Sequence, residues 1–281
     1  MIASDAPAMD APAFLGAGMS NAALATRPGL TLGPQPSAAV LLLEIAIRTA
    51  KDVQPEPPPP PPPSIISDGL ALHYNVVNPA CYPGSGLAFT DLSGNGNHGT
   101  LTGPANIADG AINFDGTTNL TTTTQISNPQ SFTIGIWFRT SAALGRKLIG
   151  LESSQSGGSG SYDRHFYVDT VGQLRWGVWS PGTSTFVYGT VTDNQWRYAV
   201  VSFNNGAMLL SMNGQAIGNV SAVSQPFDGY WRIGGQSLNF WPSAASGFFV
   251  GSIAAVEIYN RPLVIAEMEQ NFNINRGRFG L

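Results

Sequence analysis

Seven consecutive prolines, residues 57–63, divide this chain into two unequal parts. Proline has a fixed φ and no backbone N–H, so this run cannot take part in a regular helix or a central strand. It favours polyproline II, in which residues 55–63 would extend on the order of 25–30 Å, and the spacer is predicted to span residues 55–67. The alternative is a ligand for a proline-binding groove. No Arg or Lys flanks the prolines, which favours the spacer.

Residues 1–54, before the spacer, are predicted to form an arm without a core of its own. Residues 1–36 are rich in Ala, Pro, Gly and Met and show no hydrophobic period, so they cannot bury enough surface to offset the entropy of ordering. The apolar run 38–48 is predicted to dock on a partner protein. Its alternating apolar residues suit a strand, whereas Ser37 as an N-cap suits a three-turn helix. The predicted anchoring residues are Leu41, Leu43, Ile45 and Ile47.

Composition and charge argue against several classes of protein. The formal net charge is -4 and the 13 Lys and Arg residues are scattered, so binding to nucleic acid is not expected. The longest apolar run, 38–47, contains Glu44 and is far shorter than the ~20 residues that cross a bilayer, so no membrane span is expected. Cys81 is the only cysteine, which excludes an intramolecular disulfide and suits a reducing cytoplasm.

From residue 68 to residue 281, the pattern is that of short strands joined by tight turns. Only 11% of all residues are charged, whereas 33 glycines are available for turn positions. A helix is predicted at 263–272, after Pro262, and we expect it to cover one open end of a two-sheet sandwich. The predicted strands are 70–77, 111–114, 132–139, 147–151, 165–168, 173–178, 185–188, 196–203, 207–213, 215–220, 230–233 and 248–259.

Four motifs follow one another in this region. They are Asn78-Pro-Ala-Cys-Tyr-Pro-Gly-Ser-Gly86, Asp91-Leu-Ser-Gly-Asn-Gly-Asn-His-Gly99, Phe114-Asp-Gly116 and Tyr259-Asn-Arg-Pro-Leu263. Together they resemble the laminin-G-like, concanavalin-A-like jelly-roll domains that recur in bacteriophage virion proteins. The resemblance covers about residues 68–281. It implies an all-β fold, a two-sheet antiparallel jelly-roll sandwich with one short C-terminal helix, preceded by the extended arm and the polyproline linker.

The same resemblance implies a location and a role. It places the chain on a virion surface, as a capsid decoration, knob or fibre module that is made in the host cytoplasm. The arm would then bind other virion proteins of the capsid or tail, and the jelly roll would face a host-surface glycan or receptor. Docking on a symmetric shell favours a homo-oligomer.

Sugar binding requires exposed aromatic faces beside polar groups, and this region contains several candidates. Tyr162, Asp163 and His165 directly follow the Ser/Gly-rich loop 153–161, and Trp241 lies in a second predicted loop. Trp176 and Trp179 are an odd number of residues apart on one strand, so one of them is expected in the core. The candidate ligand-binding residues are Tyr162, Asp163, His165, Trp179 and Trp241.

The glycine-rich loop after Phe89 has oxygen-bearing side chains at alternate positions, as in the first half of a calcium loop. The candidate ligands are Asp91, Ser93 and Asn95. The twelfth position is Thr102 rather than a bidentate Glu, so at most weak Ca²⁺ binding is expected. A hydrogen-bonded structural turn is the favoured interpretation, and no other cofactor is predicted.

Catalysis by a retaining glycanase needs two carboxylates about 5–5.5 Å apart, which a strand provides at positions two residues apart. Glu267 and Glu269 have this spacing but lie in the predicted helix, where they point to different sides. The sequence therefore predicts a protein without enzymatic activity. The favoured function is adhesion to a host glycan or receptor; the alternatives are a glycan hydrolase of the same fold and a purely structural decoration protein.

Overall fold

The computed structural model describes residues 37–40, 42–43, 64–104, 106–179, 181–245 and 247–281, apart from the side chain of Ser184. Most of the predicted arm and the prolines lie outside these ranges, as do Leu41, Ile45 and Ile47. Residues 38–40 and 42–43 are helical, and Leu43 is exposed there. Within the described ranges, no helix is both long and apolar enough to span a membrane.

Sixteen strands and one α-helix follow Ser64 in the described part of the chain. The strands are β1 Leu70–Asn75, β2 Ala88–Phe89, β3 Gly99–Thr102, β4 Ile107–Ala108, β5 Ala111–Asp115, β6 Asn119–Thr122, β7 Ser131–Arg139, β8 Arg146–Glu152, β9 Tyr162–Val168, β10 Gln173–Trp179, β11 Thr183–Thr190, β12 Arg197–Asn204, β13 Ala207–Met212, β14 Gln215–Ser221, β15 Tyr230–Ile233 and β16 Val250–Tyr259. The helix is α1 Ile265–Asn275, and a 3-10 turn, Arg276–Phe279, follows it.

The strands form two eight-stranded antiparallel sheets that pack as a jelly-roll sandwich. Sheet A has the order β14-β13-β12-β7-β16-β5-β4, and β1 also pairs with β16. Sheet B has the order β11-β10-β9-β8-β15-β6-β3-β2. Each predicted strand overlaps an observed one, and the predicted all-β sandwich with one C-terminal helix is confirmed. Four strands of two to four residues, β2, β3, β4 and β6, have no counterpart in the prediction.

The main core lies between the inner faces of the two sheets. Alternate residues of β7, including Ile134 and Ile136, point inward from sheet A. Trp176 and Trp231 point inward from sheet B, where both indoles reach the Phe132 ring. Trp176 is thus the core member of the odd-spaced tryptophan pair, as the sequence requires.

Sheet A is also apolar on its outer face, and α1 covers that face rather than an open end of the sandwich. The expected position of the helix was therefore wrong. Trp137 of β7 is fully buried on this face, where it stacks on Tyr198 at 5.0 Å, on Phe272 of α1 at 5.7 Å and on Phe279 at 4.1 Å. A sheet with two apolar faces requires a second layer, and the helix supplies it.

One carboxyl group is buried on this outer face without a charged partner. The Glu257 side chain of β16 accepts a hydrogen bond from the Tyr198 hydroxyl through Oε2 at 3.2 Å, while Oε1 has no hydrogen-bond partner among the described residues. Burial raises the pKa of Glu257 to about 8, and the hydrogen bond from Tyr198 opposes this only in part. Glu257 is therefore mostly protonated at neutral pH.

The residues that follow the prolines are held on the same face. Ile66 N–H donates to Asn271 Oδ1 at 2.9 Å, and the Tyr259 hydroxyl donates to Ile66 O at 3.0 Å. Residues 64–67, assigned to the spacer in the sequence, thus include contacts with α1 and β16.

Candidate functional site

The loop at Asp91 is tied together by its own hydrogen bonds. Asp91 Oδ1 accepts from the backbone N–H of His73 and of Ser93, both at 2.9 Å. Oδ2 accepts from Ser93 Oγ at 2.7 Å and from Asn97 N–H at 3.0 Å. These donors occupy both oxygens, which supports the structural-turn interpretation. Weak calcium binding by Asp91, Ser93 and Asn95 stays a prediction; among the described residues, no cluster of three His, Cys, Asp or Glu could hold a metal ion.

An open cleft of about 200 Å³ lies where β9 begins and β10 ends. Four segments build it: the loop before β9, the end of β10, the connection 222–229 between β14 and β15, and the connection 234–249 between β15 and β16. Its lining residues are Gly160, Ser161, Tyr162, Trp179, Gln225, Asn239, Phe240 and Trp241. We call this the aromatic cleft.

Three of the five candidate ligand-binding residues, Tyr162, Trp179 and Trp241, line the aromatic cleft. The other two, Asp163 and His165, are fully buried and do not line it. The structure thus brings the aromatic candidates together and places the two titratable ones in the supporting layer.

The aromatic side chains differ in how far they are exposed. Trp179 is 36% exposed, whereas Trp241 is almost buried and packs edge-on against His165 at 4.6 Å. Phe240 is 90% exposed and has a φ of +66°, a left-handed conformation that is strained for a bulky residue. The Tyr162 hydroxyl donates to Asn239 O at 3.1 Å and links two walls of the cleft.

Asp163 connects two other walls. Its Oδ1 accepts from Trp179 N–H at 2.8 Å, and its Oδ2 accepts from Gln225 N–H at 2.8 Å. Arg164 donates to both oxygens, through its backbone N–H and its guanidinium. Burial raises the pKa of Asp163 to about 6, although Arg164 and the backbone amides counteract the effect of burial.

Glu152 is the second buried carboxylate behind the aromatic cleft. Its Oε1 accepts from the Lys147 ammonium and from the backbone N–H of Gln236 at 3.0 Å and Ser237 at 3.1 Å. Its Oε2 accepts from Ser159 Oγ at 2.8 Å and from Arg232 at 2.9 Å.

These contacts also fix the charge of Glu152. Burial alone would raise the pKa of Glu152, but Lys147, Arg232 and the backbone amides together lower it to about 2. The ionised carboxylate therefore holds the loop that precedes Gly160 and the base of the segment that carries Trp241.

His165 lies between these groups and is neutral. Burial is the main reason that the pKa of His165 is well below its usual value, and Lys147 lowers it further. Within the described part of the chain, neither ring nitrogen has a hydrogen-bond partner. The ring packs on Gly150, where a Cβ atom would overlap the imidazole. His165 thus acts as a support beneath Trp241.

The described lining residues of the aromatic cleft carry no charged side chain. Glu267 of α1 is remote from it in the fold and forms an ion pair with Arg261 at 2.7 Å. The arrangement can therefore offer aromatic faces and amide hydrogen bonds, with ionised groups confined to the layer behind.

Sequence reasoning missed Gln225 and Asn239 of the lining and Glu152, Lys147 and Arg232 of the support. An acid with two cations in apolar strands of an otherwise charge-poor chain is the one signal that could have drawn attention to the last three. The aromatic dipeptide Phe240-Trp241 was visible in the sequence, but the neutral Gln225 carried no signal.

Comparison with known proteins places this chain in a fold family. The sequence profile of the concanavalin A-like lectin/glucanases superfamily, of the laminin G type, matches residues 114–268. A comparison with curated protein sequences finds no significant match.

Several solved structures share the fold. The binding domain of botulinum neurotoxin serotype D has 12% identity and a TM-score of 0.53, with 75% of this chain and 52% of that chain covered. The botulinum neurotoxin DC binding domain in complex with SialylT has 14% identity and a TM-score of 0.54, with 74% and 52% covered. Trypanosoma rangeli sialidase in complex with sialic acid has 13% identity and a TM-score of 0.57, with 86% and 40% covered.

This chain thus spans about half or less of the length of those structures. At such identities the likeness shows the fold alone. The profile, in contrast, covers more than half of the sequence, from the end of β5 through β16, and includes the segments that build the aromatic cleft. The chain belongs to the concanavalin A-like lectin/glucanases superfamily.

Proposed function

We propose that the jelly roll is a carbohydrate-binding module without catalytic activity and that its ligand occupies the aromatic cleft. The observation that carries this proposal is the convergence of Trp179, Phe240 and Trp241 beside the polar residues Gln225 and Asn239. Aromatic faces pack against the apolar face of a sugar ring, and amides bind its hydroxyls. Two fold relatives have structures in complex with SialylT and with sialic acid, respectively, which supports a sugar ligand here.

The size of the cleft limits what it holds. Its volume of about 200 Å³ is below the ~300 Å³ at which pockets for drug-sized ligands begin. The cleft therefore suits one sugar ring at the end or side of a longer glycan. The exposed Phe240 then contacts the next ring.

Alanine at Trp179 is expected to lower glycan affinity at least tenfold, equal to about 1.4 kcal/mol, because it removes the most exposed indole of the cleft. A glycan array identifies the ligand, and calorimetry measures the affinity of wild type and Trp179→Ala. Val187→Ala is the matched control, since Val187 is an exposed apolar residue of the neighbouring strand outside the cleft. Equal losses in both variants, or no binding by wild type, would contradict the proposal.

The glycan array also separates the two alternative functions, a glycan hydrolase and a purely structural decoration protein. A hydrolase would release reducing ends from the bound glycan, whereas the absence of carboxylates from the described lining favours intact ligand. A purely structural decoration protein would bind no glycan in the array.

For location, we propose that the chain is a virion surface protein that is made in the host cytoplasm and held on a capsid or tail by residues 1–54. The order of motifs that resembles phage virion proteins supports this, as does the proline run 57–63. Assembly on a symmetric particle would make the attached form a homo-oligomer.

Imaging of purified particles is expected to show the full-length chain at regular surface positions. A variant that lacks residues 1–54 should fold, because the described sandwich begins after them, but should be absent from particles. Circular dichroism checks its fold. Particles that retain the shortened chain would refute anchoring by the arm.

A further inference from the structure

Asp163 occupies a position from which it controls the shape of the aromatic cleft. The carboxylate is fully buried, and it accepts hydrogen bonds from backbone N–H groups of two elements that are separate in the sequence. Trp179 ends β10, and Gln225 lies in the connection 222–229. Both hydrogen bonds are 2.8 Å long, and both residues line the cleft.

Arg164 holds the same connection through different atoms. Its guanidinium donates to Ser224 Oγ at 3.1 Å and to Gln225 O at 3.0 Å, and its Nε donates to Pro129 O at 2.9 Å. Its backbone has a φ of +58°, which is unusual for a non-glycine residue. The chain thus adopts a strained conformation at the point where the acid and the arginine meet both walls.

We propose that Asp163 is the positioning residue of the aromatic cleft and that protonation of its carboxylate opens the cleft and releases the ligand. This inference rests on the proposed function. All four hydrogen bonds to the carboxylate come from N–H groups. A protonated carboxyl carries an O–H group, which is a donor. At one of the two oxygens this donor would then face an N–H group, which is also a donor, and the two cannot form a hydrogen bond. One of the hydrogen bonds from Arg164, Trp179 or Gln225 is then lost, and its loss at Trp179 or Gln225 is the change that opens the cleft.

Asp163 is the acid near the aromatic cleft that we expect to titrate between pH 5 and pH 7.5. Its pKa of about 6 lies in that range. Arg164 contacts it directly, whereas β8 places Leu151 opposite it in the register. In the connection 222–229, Asp228 is turned towards Ser127 and Asn128.

Glu152 and His165 of the neighbouring cluster keep their charge state in this range, and Lys147, whose pKa burial lowers to about 8, stays mostly protonated. Glu152 has a pKa of about 2 and stays ionised, and it is paired with Lys147 and Arg232. The pKa of His165 is well below its usual value, so this ring stays neutral.

The test measures affinity for the array-identified glycan at pH 7.5 and pH 5.0. With a pKa of about 6, the wild type should bind about tenfold more weakly at pH 5.0. Asp163→Asn carries a permanent NH2 group, so it should bind weakly at both pH values. Asp193→Asn, which changes an exposed acid outside the cleft, should keep the wild-type pH profile. A wild-type affinity that is equal at both pH values, or an Asp163→Asn variant with the wild-type profile, would overturn the proposal.

A second measurement uses wild type without ligand. The backbone ¹⁵N and ¹H shifts of Trp179 and Gln225 should titrate with a common midpoint near pH 6. If wild type binds no glycan, the proposed function fails, and these two amides still decide the role of Asp163. Amide shifts that stay constant from pH 5.0 to 7.5 would refute it, whether or not Asp163→Asn folds.

Discussion

Replacing Glu152 with glutamine is expected to destabilise the jelly roll by about 3–5 kcal/mol, because it removes the one carboxylate from a buried cluster with two cations. Glu152, Lys147 and Arg232 are all at most 2% exposed. The neutral amide leaves both cations without their counter-ion in a region of low dielectric constant. At about 2–4 °C per kcal/mol for a domain of this size, the melting temperature should fall by roughly 10 °C.

Two further variants make the Glu152 prediction specific. Lys147→Met should cost clearly less, because Glu152 keeps Arg232, Ser159 and two backbone amides as partners. Asp193→Asn breaks an ion pair whose acid is 52% exposed, and exposed pairs contribute about 0–1 kcal/mol. Chemical denaturation of the three variants checks this order. Equal losses for Glu152→Gln and Asp193→Asn would show that the buried cluster does not stabilise the fold.

The stability of the jelly roll is expected to fall with rising pH in the range where only the unfolded chain has released the Glu257 proton. The folded-state pKa is about 8, above the usual value of 4.5. Below pH 4.5 the carboxyl is protonated in both the folded and the unfolded state, so it adds nothing to the pH dependence of stability. Between these values the folded state binds the extra proton, and stability therefore decreases as pH rises. From pH 6 to pH 8 the loss amounts to about 2 kcal/mol.

Glu257→Gln isolates this contribution, since glutamine has a similar shape and does not titrate. We expect the free energy of unfolding of wild type, relative to this variant, to fall by about 2 kcal/mol between pH 6 and pH 8. The comparison also removes the contributions of Asp163 and Lys147, which are the same in both proteins. A difference that is constant over this range would mean that the carboxyl is already ionised in the folded protein.

Much of the fold could be predicted because its determinants are local. The strands β7 and β12 are continuous apolar segments, and turn pairs such as Asn213-Gly214 separate the later strands. The missed strands β3 and β6 are only four residues long and rich in threonine, so each is too short for an apolar period to stand out. The position of α1 was mispredicted because the helix pattern does not reveal which surface will cover Trp137.

The candidate site was predictable only in part. Tyr162, Trp179 and Trp241 could be selected because aromatic residues near a turn are visible in a sequence. Asp163 and His165 were expected to contact a ligand, yet both are fully buried and lie behind the lining of the aromatic cleft. Their depth depends on the connections 222–229 and 234–249, which fold over them from distant parts of the chain.

The sequence by itself predicted a division at the prolines, and it determined the β character of residues after 68 and the supply of aromatic residues. These properties follow from backbone geometry and from periods of a few residues. Only the tertiary structure decided which carboxyl groups are buried away from solvent. Asp163, Glu152 and Glu257 are three carboxyls of ordinary sequence context, and they acquire pKa values of about 6, 2 and 8. The reason is that burial acts on all three, whereas the compensating groups differ: some are near in sequence, as Arg164 is to Asp163, and others, such as Arg232 at Glu152, are brought near only in the folded chain.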